Sequence, residues 1–257
     1  MIDWLHTLPN VGIGILILGV ALSVSTLLPF LIRRRFALEP NEQVVKGAEE
    51  SFKLLTSTTM LLLAFCLVRV QGEHRNVEDL VAREAAIIFK LDRALLSFNG
   101  EEANALRGGL KLYANSIVDV EWPLLAKKER SEATSELLAL LIEGCRELDP
   151  DTALQQMVRA EVLGTMAQMS DVREARLSAS RLILPHYYWQ ALTAALVLLT
   201  FFGWLQGPLL KLLFNVSGVT VGVSLLFTLL VTTEGLFVGE SQVTAEAIAR
   251  IIPALGR

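Results

Sequence analysis

The residues most often used for chemistry are few here: three histidines and two cysteines in 257 residues. His6, His74 and His186 are scattered, with no His–Glu or Cys pair at metal-ligand spacing, so the sequence announces no metal site. Cys66 falls inside an apolar run and Cys145 in a polar region far from it, which implies no disulfide framework. There is no glycine-rich phosphate loop, no nucleophile elbow and no recognisable acid–base pair. The acid pairs Glu49/Glu50 and Glu101/Glu102 fit helix starts, where negative charge is favourable in any case. The expectation is therefore a protein that is not an enzyme and carries no metal and no cofactor.

One stripe stands out instead. Thr58, Leu61, Leu62, Phe65 and Arg69 recur at spacings of three and four, which places them along one side of a helix. Around the axis of an assembly they would form a hydroxyl ring, an apolar constriction at Leu61 and Phe65, and an Arg69 ring at the mouth, a pore that prefers anions. Within one chain the same residues have a plainer use. Arg69 would reach the interface, Phe65 would pack against the first span, and the hydroxyls of Thr56, Ser57, Thr58 and Thr59 would bond within the helix or to a neighbour. The spacing fits both readings.

The elements that must carry this stripe are apolar helices. Hydrophobic residues make up 53% of the chain, and its mean hydropathy of +0.48 is high for a soluble fold of this size. Val11 to Ile32 is uncharged for 22 residues, enough to cross about 30 Å of hydrocarbon. Leu54 to about residue 70 gives a shorter span, closed by Lys53 and Arg69. Tyr187 to Leu205 opens on Tyr187, Tyr188 and Trp189, rings suited to headgroup depth, and Leu212 to Thr233 is uncharged throughout. The expected fold is all-α and integral to a membrane, with four transmembrane helices in two hairpins flanking a soluble helical-bundle domain. The expected divisions are a first hairpin over 1–70, a soluble domain over 71–185, a second hairpin over 186–240 and a helical tail over 241–257. The N-terminal run carries Asp3 in place of a basic patch and ends in Arg33-Arg34-Arg35 without a small-residue cleavage site, so it is expected to be retained.

The soluble region reads as helices throughout. Val77, Leu80/Val81, Ile87/Ile88, Leu91 and Leu95 make an apolar face up to Phe98, continuous with the second span, before Asn99-Gly100 breaks it. Further helices are expected over Glu101 to about Val120, Glu132 to Glu147, and from Asp151 toward Pro185 after the Asp149-Pro150-Asp151 stop. A net charge of −4, with no strongly basic run outside the membrane boundary, argues against a nucleic-acid partner.

Several phrases, taken together, resemble the bacterial bestrophin-like family, itself distantly similar to the bestrophin anion channels. They are Leu63-Ala64-Phe65, Val81-Ala82-Arg83-Glu84-Ala85-Ala86, Tyr113 with Glu121-Trp122-Pro123, Arg173/Arg176 with Pro185 and Trp189, and Phe237-Val238-Gly239. The resemblance covers nearly the whole chain. Leu236 stands where the family's Pro-Phe-x-Gly has proline, and the acidic run that bestrophins use for calcium is absent, with only Glu240 nearby, so calcium gating is not implied. What the resemblance implies is a homo-oligomer, pentameric by analogy, with the second span lining an axial pore. The expected location is the cell's inner (plasma) membrane, crossed several times.

Orientation stays open. The loop from Arg33 to Lys53 carries five basic residues and the N-terminal tail none, which places that loop in the cytoplasm and the soluble domain outside. Bestrophin-like topology implies the reverse. The functional expectation is an oligomeric, channel-like membrane protein, anion-conducting if it conducts. The alternative is a non-conducting scaffold or sensor whose helical domain binds a partner protein or ligand.

Overall fold

The computed structural model describes residues 9–36, 41–179, 184–206, 212–237 and 242–257, and every regular element among them is helical. Helix α1 (Asn10–Leu22) continues through a π-helical turn, Ser23–Leu27, into α2 (Leu28–Phe36). Helix α3 (Glu42–Phe98) is 57 residues long. It contains no proline, so nothing removes a backbone donor or clashes with a preceding carbonyl along its course. The second span and the helix after it are thus continuous, as the sequence leads one to expect. The helix starts at Glu42, however, so Glu49 and Glu50 lie two turns inside it and not at a helix start.

The break after Phe98 is where the sequence puts it. Asn99 and Gly100 both adopt positive φ, 58° and 124°, conformations that asparagine and glycine tolerate best. Helix α4 (Glu101–Ser116) follows, then without a break a second π turn, Ile117–Glu121, and the short α5 (Trp122–Leu125), which carries Pro123. Helix α6 (Glu132–Glu147) is capped by Ser131, whose hydroxyl accepts the Thr134 backbone N–H. Helix α7 spans Ala153–Ala179 and α8 His186–Trp204. A third π turn, Leu212–Val216, leads into α9 (Ser217–Glu234), and α10 (Glu246–Ile251) ends in a 3-10 turn, Ile252–Ala254.

The chain divides into two compact units, Met1–Gly72 with Ile183–Gln242, and Glu73–Leu182 with Val243–Arg257. Helix α3 contributes to both. Among the described residues, three helices are long and apolar enough to cross a membrane: Asn10–Leu31, Glu42–Phe98, whose apolar part lies in the first unit, and Leu213–Glu234. The fourth expected span coincides with α8, whose first turn, His186-Tyr187-Tyr188-Trp189-Gln190, is amphipathic and dilutes its apolar character. The core of this unit joins Phe52, Leu63, Cys66 and Val70 of α3 to Leu192 and Leu199 of α8 and to Val223 and Leu230 of α9. Two glycines permit this approach. A Cβ on Gly203 would lie 3.3 Å from the Phe52 ring, and one on Gly222 would lie 3.1 Å from Met60 Cε. Small residues at helix crossings are how apolar helices pack closely where lipid removes the hydrophobic drive.

The second unit is a helical bundle. Val77, Val81, Ile88, Leu91 and Leu95 of α3 are buried, as are Leu110 and Tyr113 of α4, Leu138 and Leu141 of α6, and Val162, Met166 and Met169 of α7. The segment from Val243 belongs to this bundle, and Arg107 holds its end by donating to the Arg257 carbonyl oxygen at 2.5 Å. Both cysteines are buried free thiols, Cys66 in the first unit and Cys145 in the second.

Burial pushes the Cys145 thiol up to about 11 from an ordinary value of 9.0. Because the folded state keeps this proton longer than the unfolded chain, the thiol's contribution to stability is complete below its ordinary value. It is lost as pH rises through about 11. A maleimide applied to the native protein at pH 8 is expected to leave Cys145 unmodified and to label it fully after denaturation; rapid native labelling would show that α6 opens readily.

Candidate functional site

The two sets of residues singled out by type and spacing fall in different units. The first is the α3 stripe. Leu61 and Phe65 are 57% and 62% exposed in the single chain, Leu54 and Val68 more so, and Thr58 and Arg69 are exposed as well. The opposite face, carrying Phe52, Thr59, Leu63, Cys66 and Val70, is buried. Helical periodicity separates the two faces cleanly. Leu62 is the exception to the expected stripe. It is half-buried and packs against the core of the unit, because it stands next to Leu63 on the turn that meets α8 and α9. The outward stripe is therefore Thr58, Leu61, Phe65 and Arg69.

The hydroxyls near the start of the span are partly occupied by the helix itself. Thr56, Ser57 and Thr58 each donate to the carbonyl four residues earlier, at 2.7, 3.2 and 3.0 Å. Each keeps lone pairs to offer outward. At the other end, the Arg69 guanidinium lies over the Tyr188 ring, 5.6 Å from its centroid. Close by in sequence, Trp189 donates its indole N–H to Glu234 at 3.2 Å, so the acid that ends α9 is held by an aromatic from the start of α8.

The second set forms a buried ionic cluster inside the helical bundle. Arg176 of α7 donates from Nε to Glu84 of α3 at 2.6 Å and from Nη2 to Glu84 at 3.2 Å and Glu121 at 2.7 Å. Arg173, one turn earlier, donates to both oxygens of Glu121 and to Ser135 Oγ at 3.0 Å. The Trp122 ring lies 5.4 Å from the Arg176 guanidinium, and its own N–H donates to the Val243 carbonyl at 3.3 Å. Glu84, Glu121 and Arg176 are completely buried. Burial works to lower the Arg176 pKa, but Glu84 and then Glu121 outweigh it and the net shift is upward. The Tyr113 hydroxyl is buried beside these charges, and burial first, Glu84 second, hold its pKa well above the ordinary tyrosine value.

The π turn explains how Glu121 joins this cluster. In an ideal helix of 3.6 residues per turn, position 121 would sit about 80° around the axis from position 113. The wider turn at Ile117–Glu121 unwinds the helix, so Tyr113, Ile117 and Glu121 are all buried together. Pro123 then follows in the first turn of α5, exposed.

The motif residues Glu84, Glu121, Trp122 and Arg176 thus meet in one place. Pro185 instead precedes α8 in the first unit, and Phe237 is buried there. Gly239 and Glu240 lie outside the described residues. Sequence reasoning misses a second buried pair: Arg107 donates to both oxygens of Asp92, at 2.9 and 3.2 Å, and Gly256 N–H donates to Asp92 at 3.1 Å. The signal was present, since Asp92 interrupts the apolar series Ile88, Leu91, Leu95, and Arg107 the series Ala103, Leu110, Ala114. Among the described residues no group of three or more His, Cys, Asp or Glu is placed to hold a metal ion.

Long apolar helices in one unit and a charged helical bundle in the other define a helical membrane protein. A family model described as a Bestrophin-like domain matches residues 15–248, and the chain belongs to the bestrophin-like family. No curated protein and no solved structure gives a significant match.

Breaking the buried cluster has a predictable cost. Arg176→Met leaves Glu84 without its cation and Glu121 with one, and removal of one partner of a buried pair costs about 3–5 kcal/mol. Thermal unfolding followed by circular dichroism is expected to show that loss, with the double substitution Arg176→Met/Glu84→Leu less affected than the single one. Equal stability of wild type and Arg176→Met would contradict it.

Proposed function

We propose that this protein is an oligomeric, channel-like membrane protein in which the outward stripe of α3 lines an axial path that favours anions. The observation that carries this reading is that Thr58, Leu61 and Phe65 lie exposed along a span whose other face is buried, with Arg69, stacked on Tyr188, at the end of the row. Membership of the bestrophin-like family supports it. In this reading α8 crosses the membrane as a fourth span, pairing with α9 as α1/α2 pairs with α3, in a multi-pass protein of the cell membrane. Copies of the chain, five by analogy with bestrophins, assemble around α3.

The stripe has the chemistry for selective passage. Narrow apolar rings of Leu61 and Phe65 exclude water and ions by dewetting, and an arginine ring at the end of the span concentrates anions and repels cations. The stack of Arg69 on Tyr188 would hold that charge at a defined depth. A second reading, a non-conducting scaffold, draws on Leu154 and Met157, exposed apolar residues one turn apart at the start of α7 that a partner protein could cover.

Mass measurement in mild detergent is expected to show a homo-oligomer; a monomer across detergents would remove the axial path. In liposomes, Phe65→Ala is expected to raise basal conductance. Arg69→Glu should shift the reversal potential in a chloride gradient toward cation selectivity, with less effect in high salt as the screening length falls below about 8 Å. Ion flux that neither substitution alters would place the path elsewhere. Absence of flux under every voltage, pH and gradient would favour the scaffold.

A further inference from the structure

The first unit contains a cavity of about 360 Å³ that the α3 stripe does not use. Its walls come from α1, α8 and α9, with Phe52 as the contribution of α3. None of its lining residues is charged. Three of its hydroxyls are turned to one another or to the backbone: Ser25 and Thr220 share a hydrogen bond of 2.9 Å, and Thr200 donates to the Leu196 carbonyl at 2.8 Å. An enclosed apolar cavity of about 150 Å³ can stay dry and accept a hydrocarbon ligand, since water there would lack polar partners, and the lining here is of the same apolar kind. An empty one forfeits the dispersion contacts of its walls.

The cavity has a direction. Its inner end lies at Phe227, whose ring meets Trp189 edge-on at 6.1 Å. Its outer end lies at Val24, Phe52 and Val216, where Gly203 lets the Phe52 ring and Val216 approach closely and Trp204 donates to the Val24 carbonyl at 3.0 Å. From Val216 to Phe227 is about 16 Å of helix, long enough for an extended acyl chain to lie alongside. Two of the three π turns, Ser23–Leu27 and Leu212–Val216, supply lining residues at this outer end. Such turns widen a helix and recur at ligand sites. Phe52 is the lining residue that α3 supplies, and Lys53, next after it in sequence, is exposed.

We propose that this cavity holds one acyl chain of a membrane phospholipid with an anionic headgroup, whose phosphate is met by Lys53. The walls select hydrocarbon, and the lysine at the mouth selects charge. The site does not depend on conduction along α3.

The test uses the full-length protein, delipidated in mild detergent and offered dioleoyl phosphatidylglycerol or dioleoyl phosphatidylcholine, with retained lipid read by native mass spectrometry. Wild type is expected to keep phosphatidylglycerol several-fold more than phosphatidylcholine. Ala21→Phe, which fills the cavity from α1, should lower retention of both lipids several-fold. Val20→Phe, on a more exposed lining position, should do the same and serves where Ala21→Phe fails to fold. Lys53→Gln should abolish the preference and leave chain binding. Undiminished retention in a folded filling variant overturns the proposal. So does a wild type that assembles and retains neither lipid, which would mean that another copy of the chain covers the cavity. Unchanged headgroup preference in Lys53→Gln overturns the role given to that residue.

Discussion

A helix as long as α3 is held by what packs along it, since propensity alone gives little stability in water and none of the selectivity between faces. In the first unit its Phe52–Leu63–Cys66–Val70 face meets α8 and α9, and in the second its Val77–Val81–Ile88–Leu91–Leu95 face belongs to the bundle core. The proposed axial path depends on the consequence. Once one face is committed to packing, the 3.6-residue repeat leaves Thr58, Leu61, Phe65 and Arg69 on the other. Large apolar side chains left bare in a single chain need lipid or another copy against them, and the arginine at the end of the row suits an aqueous mouth better than hydrocarbon.

The buried charges do a different task. Glu84, Glu121, Arg173 and Arg176 draw α3, the Ile117–Glu121 turn and α7 to one point, while Asp92 and Arg107 tie α3 to α4 and to the chain end. Ion pairs of this kind add little net stability against a well-packed apolar alternative, but a single unpaired partner is costly. They therefore penalise every rotation or slip of α3 within the bundle that would separate a carboxylate from its guanidinium. The π turns serve the same economy of placement: one brings Glu121 inward, and two shape the outer end of the membrane-unit cavity.

Much of the fold was legible because its signals are local. The absence of proline predicts the continuity of α3, Asn99-Gly100 predicts its end, and the Asp149-Pro150-Asp151 stop falls just after the helix Glu132–Glu147. The start of α3 was not legible, because Glu42 to Lys53 is polar and lies before the apolar run that drew attention. Which side of the stripe Leu62 joins depends on where α8 and α9 press, and spacing alone cannot say. Asp92 and Arg107 show the reverse case: a charge inside an apolar period is a readable sign of a buried pair, yet its partner is known only once the helices meet. The family phrases mark Glu84, Glu121 and Arg176 without explaining them, and the structure supplies the explanation in their shared contact.

Whether the exposed stripe of α3 faces its counterpart in other copies of the chain is open to a direct test by cross-linking. Leu61→Cys and Phe65→Cys, each in a background with Cys66 and Cys145 replaced by serine, can be oxidised in native membranes and compared with Ile15→Cys on the exposed side of α1. Disulfide-linked chains at positions 61 and 65, with far fewer at 15, are the predicted result. Links at 15 and none at 61 or 65 would contradict it, since the stripe would then face lipid.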